Sequence, residues 1–148
     1  MSGSPSPAAG RLDAGRLWAG GLATALVAAL VAVAGIVVTR GLLHVPVLAP
    51  RGEGVWGNAN TLSYAMAAGA GALVATALLQ VLALTTPRYG RFFGWIMALL
   101  TAIATALPLG LPTVLASRLA TAVINLVIGL AITTTLNAVA RTALRQPR

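Results

Sequence analysis

The sequence contains no cysteine and no lysine, and it has one histidine and two acidic residues. Without cysteine, the chain forms no disulfide and has no thiolate to bind a metal or act as a nucleophile. The lone histidine, His44, supplies too few ligands for a metal site. No serine or threonine has the partnered histidine and aspartate of nucleophilic catalysis, and there is no phosphate-binding loop or dinucleotide fingerprint. These absences predict a protein that is not an enzyme and that binds no metal or cofactor.

Charged residues of any kind are scarce. They make up 8% of the chain, whereas 58% of the residues are hydrophobic and the mean hydropathy is +0.90. A soluble domain has about a quarter charged residues. The polar side chains are too few to cover a globule in water, so we expect an integral membrane protein with one compact domain.

The few charges are almost all positive, with a formal net charge of +8. The ten basic residues, all arginine, lie between and beside apolar stretches rather than on one exposed face. We therefore expect membrane lipids with anionic headgroups to be their partners, and we expect no nucleic-acid binding.

Four apolar stretches are each long enough to cross a hydrocarbon core as a helix, which takes about 20 residues. They cover residues 17–39, 62–84, 92–111 and 119–140. The first is too long for the apolar part of a signal peptide, so we expect it to be retained. Residues 1–15, rich in Ser, Pro, Ala and Gly, are predicted to be a disordered tail, and 142–148 a basic tail. The fold class predicted for the domain 16–141 is all-α, a four-helix transmembrane bundle.

The turn 85–91 predicts the orientation of this bundle. It is so short that the chain must re-enter the membrane on the side it has just reached. Arg88 and Arg91 place that side in the cytoplasm, because short cytoplasmic loops are enriched in arginine. Both termini are then cytoplasmic, and the cytoplasmic (inner) membrane is the predicted location. Asp13 and Glu53 would lie on opposite sides and form no acid–base pair. The arginines divide into seven inside and three outside: Arg11, Arg16, Arg88, Arg91, Arg141, Arg145 and Arg148 against Arg40, Arg51 and Arg118.

The connection 40–61 is long and rich in proline and glycine, which are typical of turns. We favour a segment lying partly in the interface, with Trp56 at headgroup depth. A binding site is the alternative, because long loops are often functional. Asn60 or Thr61 is expected to cap the helix that follows.

Pro108 lies inside the third apolar stretch. It has no N–H, so the carbonyl of Ala104 loses its helical donor. In lipid this carbonyl needs another partner, which Thr105, a neighbouring helix or a water molecule would supply.

Small residues recur at every fourth position in three of the stretches, where they share one helix face. Such rows let helix backbones approach closely in lipid. They predict tight helix seams, within the chain or against a second copy or another membrane protein. The rows are Gly21, Ala25 and Ala29; Ala67, Gly71 and Ala75; and Ala98, Ala102 and Ala106.

The fourth stretch carries a polar stripe of residues four apart: Asn125, Gly129, Thr133 and Asn137. An asparagine in hydrocarbon needs a partner, since an unsatisfied amide costs several kcal/mol. We favour contacts between helices, with these candidate partners: Thr24, Thr76, Gln80, Thr101 and Thr105. The alternative is a polar lining for a small solute.

Several segments resemble a family of small four-span membrane proteins of unknown function that is common in actinobacteria. They are RLWAGGLATALVAALVAVAG from Arg16, RGLLHVPVLAP from Arg40, TTPRYGRFFGWI from Thr85 and ATAVINLVIGLAI from Ala120. The resemblance extends over most of the chain from Arg16 to Arg141. It implies the four-span fold, and it implies no activity and no site residue.

Two functional hypotheses follow. The first is a structural or interaction component of the membrane that works through its helix seams; it predicts that Gly71→Leu or Ala102→Leu disrupts a complex or the bundle. The second is a component that binds or transports a small molecule or lipid. It requires Asn125 and Asn137 to line a hydrated cavity.

Overall fold

The fold is described from a computed structural model, which covers residues 13–44, 47–51, 55–58 and 60–143. Most of the two predicted tails, residues 1–12 and 144–148, lies outside the described residues, as does Glu53.

Four long helices form the body of the protein: α1 (Ala14–Val37), α2 (Thr61–Thr85), α3 (Tyr89–Ala106) and α4 (Leu115–Ala143). A π-helical turn, Val38–Leu42, extends α1, and a 3-10 turn, Leu107–Gly110, extends α3. Each helix with its extension is long and apolar enough to cross a membrane. The predicted all-α, four-helix class is therefore confirmed, and the chain is a multi-pass membrane protein.

The connection between α1 and α2 holds a hairpin that the sequence analysis did not predict. Its strands are β1 (Leu48–Arg51) and β2 (Val55–Asn58), which pair antiparallel with Leu48 opposite Asn58. The main-chain N–H of Leu48 donates to Oγ1 of Thr121, with 3.0 Å between the two atoms. This bond ties the hairpin to α4.

Local signals set the helix boundaries. Asn60, one of the two predicted caps, accepts a hydrogen bond through Oδ1 from the N–H of Leu62 at 3.0 Å. Asp13 accepts in the same way from the N–H of Arg16 at 3.3 Å, so α1 begins inside the segment predicted as a tail. Pro87 follows the end of α2 and prevents its continuation.

The helices alternate in direction, which gives the bundle two distinct ends. One end contains the short connection 86–88, and we call it the turn end. It comprises the start of α1, the end of α2, the start of α3 and the end of α4. The hairpin lies at the opposite end, the hairpin end. Trp18 links α1 to α2 at the turn end, where its Nε1 donates to Oε1 of Gln80 at 2.5 Å.

Packing between the helices is uneven. α1 packs extensively against α2 and against α4, and α3 packs mainly against α4, whereas α2 and α3 meet less closely. The buried residues are largely small, such as Ala28, Ala32 and Ala72. Many large apolar side chains nevertheless face outward, such as Leu26, which is 63% exposed. Such an exterior requires lipid rather than water as its surroundings.

α1 packs tightly against α2 at Gly21. A Cβ atom at Gly21 would lie 2.5 Å from Cγ2 of Thr76, closer than side-chain atoms can pack. At Gly71, by contrast, a Cβ would meet no atom within 4 Å. The two glycines share the spacing of a small-residue row but have different surroundings.

We expect Gly21→Ala to destabilise the bundle by about 1–3 kcal/mol, because the added methyl group forces Thr76 and α2 to move. Gly71→Ala is the matched control; it adds a methyl group in open space and should be neutral or stabilising by up to about 1 kcal/mol. Unfolding in mild detergent, followed by circular dichroism, measures both. Equal effects of the two substitutions would contradict the packing described.

Candidate functional site

A groove lies between α2 and α3, with α4 as its floor. Its volume is about 530 Å³. It opens to the outside through exposed residues on both walls, among them Val74 and Leu100. The lining is apolar and mostly small, and it includes Ser63, Tyr64, Ala67, Gly71, Ala75, Thr101, Ala104, Asn125 and Gly129. The groove is suited to an apolar occupant that arrives from the lipid.

The hairpin end of this groove is fixed by hydrogen bonds around Asn125. Its Nδ2 donates to the carbonyl oxygen of Ala104 at 2.7 Å. This is the carbonyl that Pro108 leaves without a helical donor, so a neighbouring helix supplies the partner that the sequence requires. The hydroxyl of Tyr64 donates to Oδ1 of Asn125. One amide thus links α2, α3 and α4.

Tyr64 was not among the partners predicted for Asn125. Three of the predicted threonines instead donate to carbonyls of their own helices: Thr24 to Gly20, Thr76 to Ala72 and Thr105 to Thr101. Gln80 accepts from Trp18. The candidate set held only amides and threonines of the spans. Tyrosine has a longer side chain that can also donate a hydrogen bond. Including this residue type among the candidates would have added Tyr64 of the second span.

The polar stripe of α4 lies along α3. A Cβ at Gly129 would overlap the side chain of Thr101, and the hydroxyl of Thr133 donates to the carbonyl of Gly129 at 2.7 Å. Asn137 lies near the turn end, beside a different cavity from the one Asn125 lines. The stripe therefore mediates packing along much of its length and forms no single continuous lining.

The three rows of small residues have three different surroundings. Gly21 is buried against Thr76, with Ala25 and Ala29 half-buried. In the second row, Ala67, Gly71 and Ala75 line the groove. The third row, Ala98, Ala102 and Ala106, is exposed on the outside of α3. The first row makes a seam within the chain, whereas the second and third leave space for another molecule.

The second cavity lies at the turn end and is basic. It has a volume of about 420 Å³. Its lining comes from the connection before α3, the first turn of α3 and the last turns of α4: Pro87, Arg88, Tyr89, Gly90, Arg91, Asn137, Ala140 and Arg141. We call it the basic pocket.

Groups able to transfer protons or hold metals are sparse in the described part of the chain. Nowhere in it do three His, Cys, Asp or Glu side chains come together. His44 is exposed, with a left-handed φ of 53°. Asp13 is exposed and lies 3.7 Å from Nε of Arg16. The groove and the basic pocket are therefore the features to which a function can be assigned.

We expect Asn125→Ala to destabilise the bundle by about 1–2 kcal/mol, because it leaves the Ala104 carbonyl and the Tyr64 hydroxyl without partners. In a Pro108→Ala background the N–H of residue 108 can donate to Ala104, and the same substitution should then cost less. A double-mutant cycle of unfolding free energies in detergent measures the difference. An equal loss in both backgrounds would show that Asn125 does not serve the carbonyl freed by Pro108.

Comparison with known proteins gives one match. A family described as a family of unknown function, DUF6069, matches residues 12–142, which include the first three helices and all but the last residue of α4. No curated protein and no solved structure matches the chain. The family description assigns no activity, so the groove and the basic pocket are interpreted from their own chemistry. Since the match covers most of its length, the chain belongs to the family of unknown function DUF6069.

Proposed function

We propose that this protein is a non-enzymatic interaction component of the cytoplasmic membrane, and that its groove holds a hydrocarbon chain of a membrane lipid. The observation that carries the proposal is the groove itself. It is apolar and open to the outside, and Gly71 on its wall has no atom of another helix within 4 Å of where a Cβ would lie. The small side chains of α2 keep this space open.

The shape of the groove suits a hydrocarbon chain. Its lining on α2 extends from Ser63 to Leu78, a length of about 22 Å at 1.5 Å per residue. Both walls carry exposed apolar side chains, among them Val74 and Leu100, so a hydrocarbon chain can enter from the lipid and lie along this length.

The placement of polar atoms also favours a lipid chain over a polar solute. Asn125 lies in the groove, but its amide is already bonded to Tyr64 and Ala104. Asn137 belongs to the basic pocket, with Gly129 packed against Thr101 between the two asparagines. A polar solute would find no continuous row of polar groups to follow, so transport along the stripe is the weaker hypothesis.

A second copy or another membrane protein is the partner proposed for the outside of α3. The row Ala98, Ala102 and Ala106 is exposed there and would allow close approach of a helix. This contact is separate from the groove. The groove is lined on α3 by other residues, among them Met97, Thr101 and Ala104.

Gly71→Leu should fill the groove without disturbing the bundle. A loss of contacts worth about 1.4 kcal/mol weakens the affinity for the lipid about tenfold. Native mass spectrometry of protein extracted in mild detergent measures retained lipid. Ala102→Leu is the matched control; it should leave lipid retention unchanged, and a change in oligomeric state for it alone would indicate a protein contact on α3. Undiminished lipid retention by Gly71→Leu would rule out the groove as a lipid site.

The orientation of the bundle is tested with single cysteines, since the natural chain has none. Gly90 and Gly110 both have room for an added Cβ among the described residues, and they lie at opposite ends of α3 and its extension. With the turn end cytoplasmic, a membrane-impermeant thiol reagent should label Gly110→Cys in intact cells and Gly90→Cys only after lysis. The reverse pattern would overturn the orientation and leave the groove hypothesis intact.

A further inference from the structure

We propose that the basic pocket binds the phosphate group of an anionic ligand. The residues that would hold it are Arg88, Arg91, Arg141 and Asn137. This site lies at the turn end and does not depend on the groove or on what occupies it.

Separate parts of the chain bring these side chains together. Arg88 comes directly before α3, and Arg91 lies in the first turn of that helix. Asn137 and Arg141 are four residues apart on α4, so they share a face of that helix. All four line one cavity of about 420 Å³. The three arginines are exposed and Asn137 is half-buried, so the charged groups surround a polar group that lies deeper.

The pocket carries positive charge without an acidic counterpart. In the described part of the chain, the one salt bridge joins Arg16 to Asp13, and no acidic residue lines the pocket. The N-terminus of α3 adds to the positive potential, because its first main-chain N–H groups and the helix dipole point toward this end. Three guanidinium groups that share a cavity repel each other, and an anion between them relieves that repulsion.

Phosphate is an anion that these side chains fit. Each guanidinium presents paired N–H donors that match two oxygens of a phosphate group. The amide of Asn137 adds a further donor. Two sources share this chemistry: the headgroup of an anionic phospholipid and a soluble phosphate. The pocket lies where α2 ends and α3 begins, which is the depth of lipid headgroups for helices that just span the hydrocarbon core.

The test is a titration of the full-length protein in neutral detergent with three probes: phosphatidylglycerol, phosphatidylcholine and inorganic phosphate. Binding is followed by native mass spectrometry and by the shift in unfolding temperature. Phosphatidylglycerol should bind more tightly than phosphatidylcholine. Arg88→Gln, Arg91→Gln and Arg141→Gln should each weaken this binding about fivefold, the effect of one arginine near an anionic surface. Arg16→Gln, at the same end but outside the pocket, is the matched control and should change affinity less than twofold.

The outcomes separate the two sources and the two sites. Variant-sensitive binding of phosphatidylglycerol alone assigns the phosphate to a lipid headgroup, and equally sensitive binding of inorganic phosphate assigns it to a soluble ligand; both support the site. Equal affinity for the two lipids together with no phosphate binding, or undiminished binding in all three variants, overturns it. Unfolding of each variant without ligand checks its fold. Gly71→Leu should keep its affinity for the anion, so failure of the groove hypothesis is distinguishable from failure of this one.

Discussion

A main-chain carbonyl inside a membrane must find its donor within the protein, because lipid offers none. Pro108 creates this need at Ala104, and Asn125 meets it from α4. The oxygen of that amide then requires a donor of its own, which the hydroxyl of Tyr64 provides from α2. One missing N–H is therefore the reason that three helices are joined near the hairpin end. The groove extends from this junction along α2 and α3 toward the turn end.

Much of the fold follows from the sequence because lipid imposes strict rules. Apolar length predicts the four helices, and the obligation to satisfy polar groups predicts that Ala104 and Asn125 each need a partner. The partners are harder to predict. Tyr64 lies one turn into α2 while Asn125 lies deeper in α4, and only the tilt and packing of the helices bring the two side chains together. The hairpin was missed because its short strands are surrounded by turn residues that favour a loop.

Which face of each helix meets protein was not predictable for a related reason. In a soluble bundle, apolar residues mark the buried face. Here the outward face is equally apolar, as the exposed Leu26 shows, so hydrophobic periodicity does not distinguish lipid from a neighbouring helix. The basic pocket was not predicted from the sequence either. Arg88, Arg91 and Arg141 indicated a side of the membrane, but their convergence with Asn137 depends on α4 ending beside the start of α3.

Small residues in this protein serve two opposite purposes, and their spacing is the same for both. At Gly21 the absence of a side chain lets α1 and α2 touch, and at Gly129 it lets α4 meet Thr101. At Gly71 the same absence leaves a space that none of the other described helices fills. Van der Waals contact drives association in lipid. An open face lined by small residues is therefore stabilised by contact with an occupant, just as a seam is stabilised by contact with its partner helix. The uneven packing of α2 against α3 therefore determines where this bundle is complete and where it can bind another molecule.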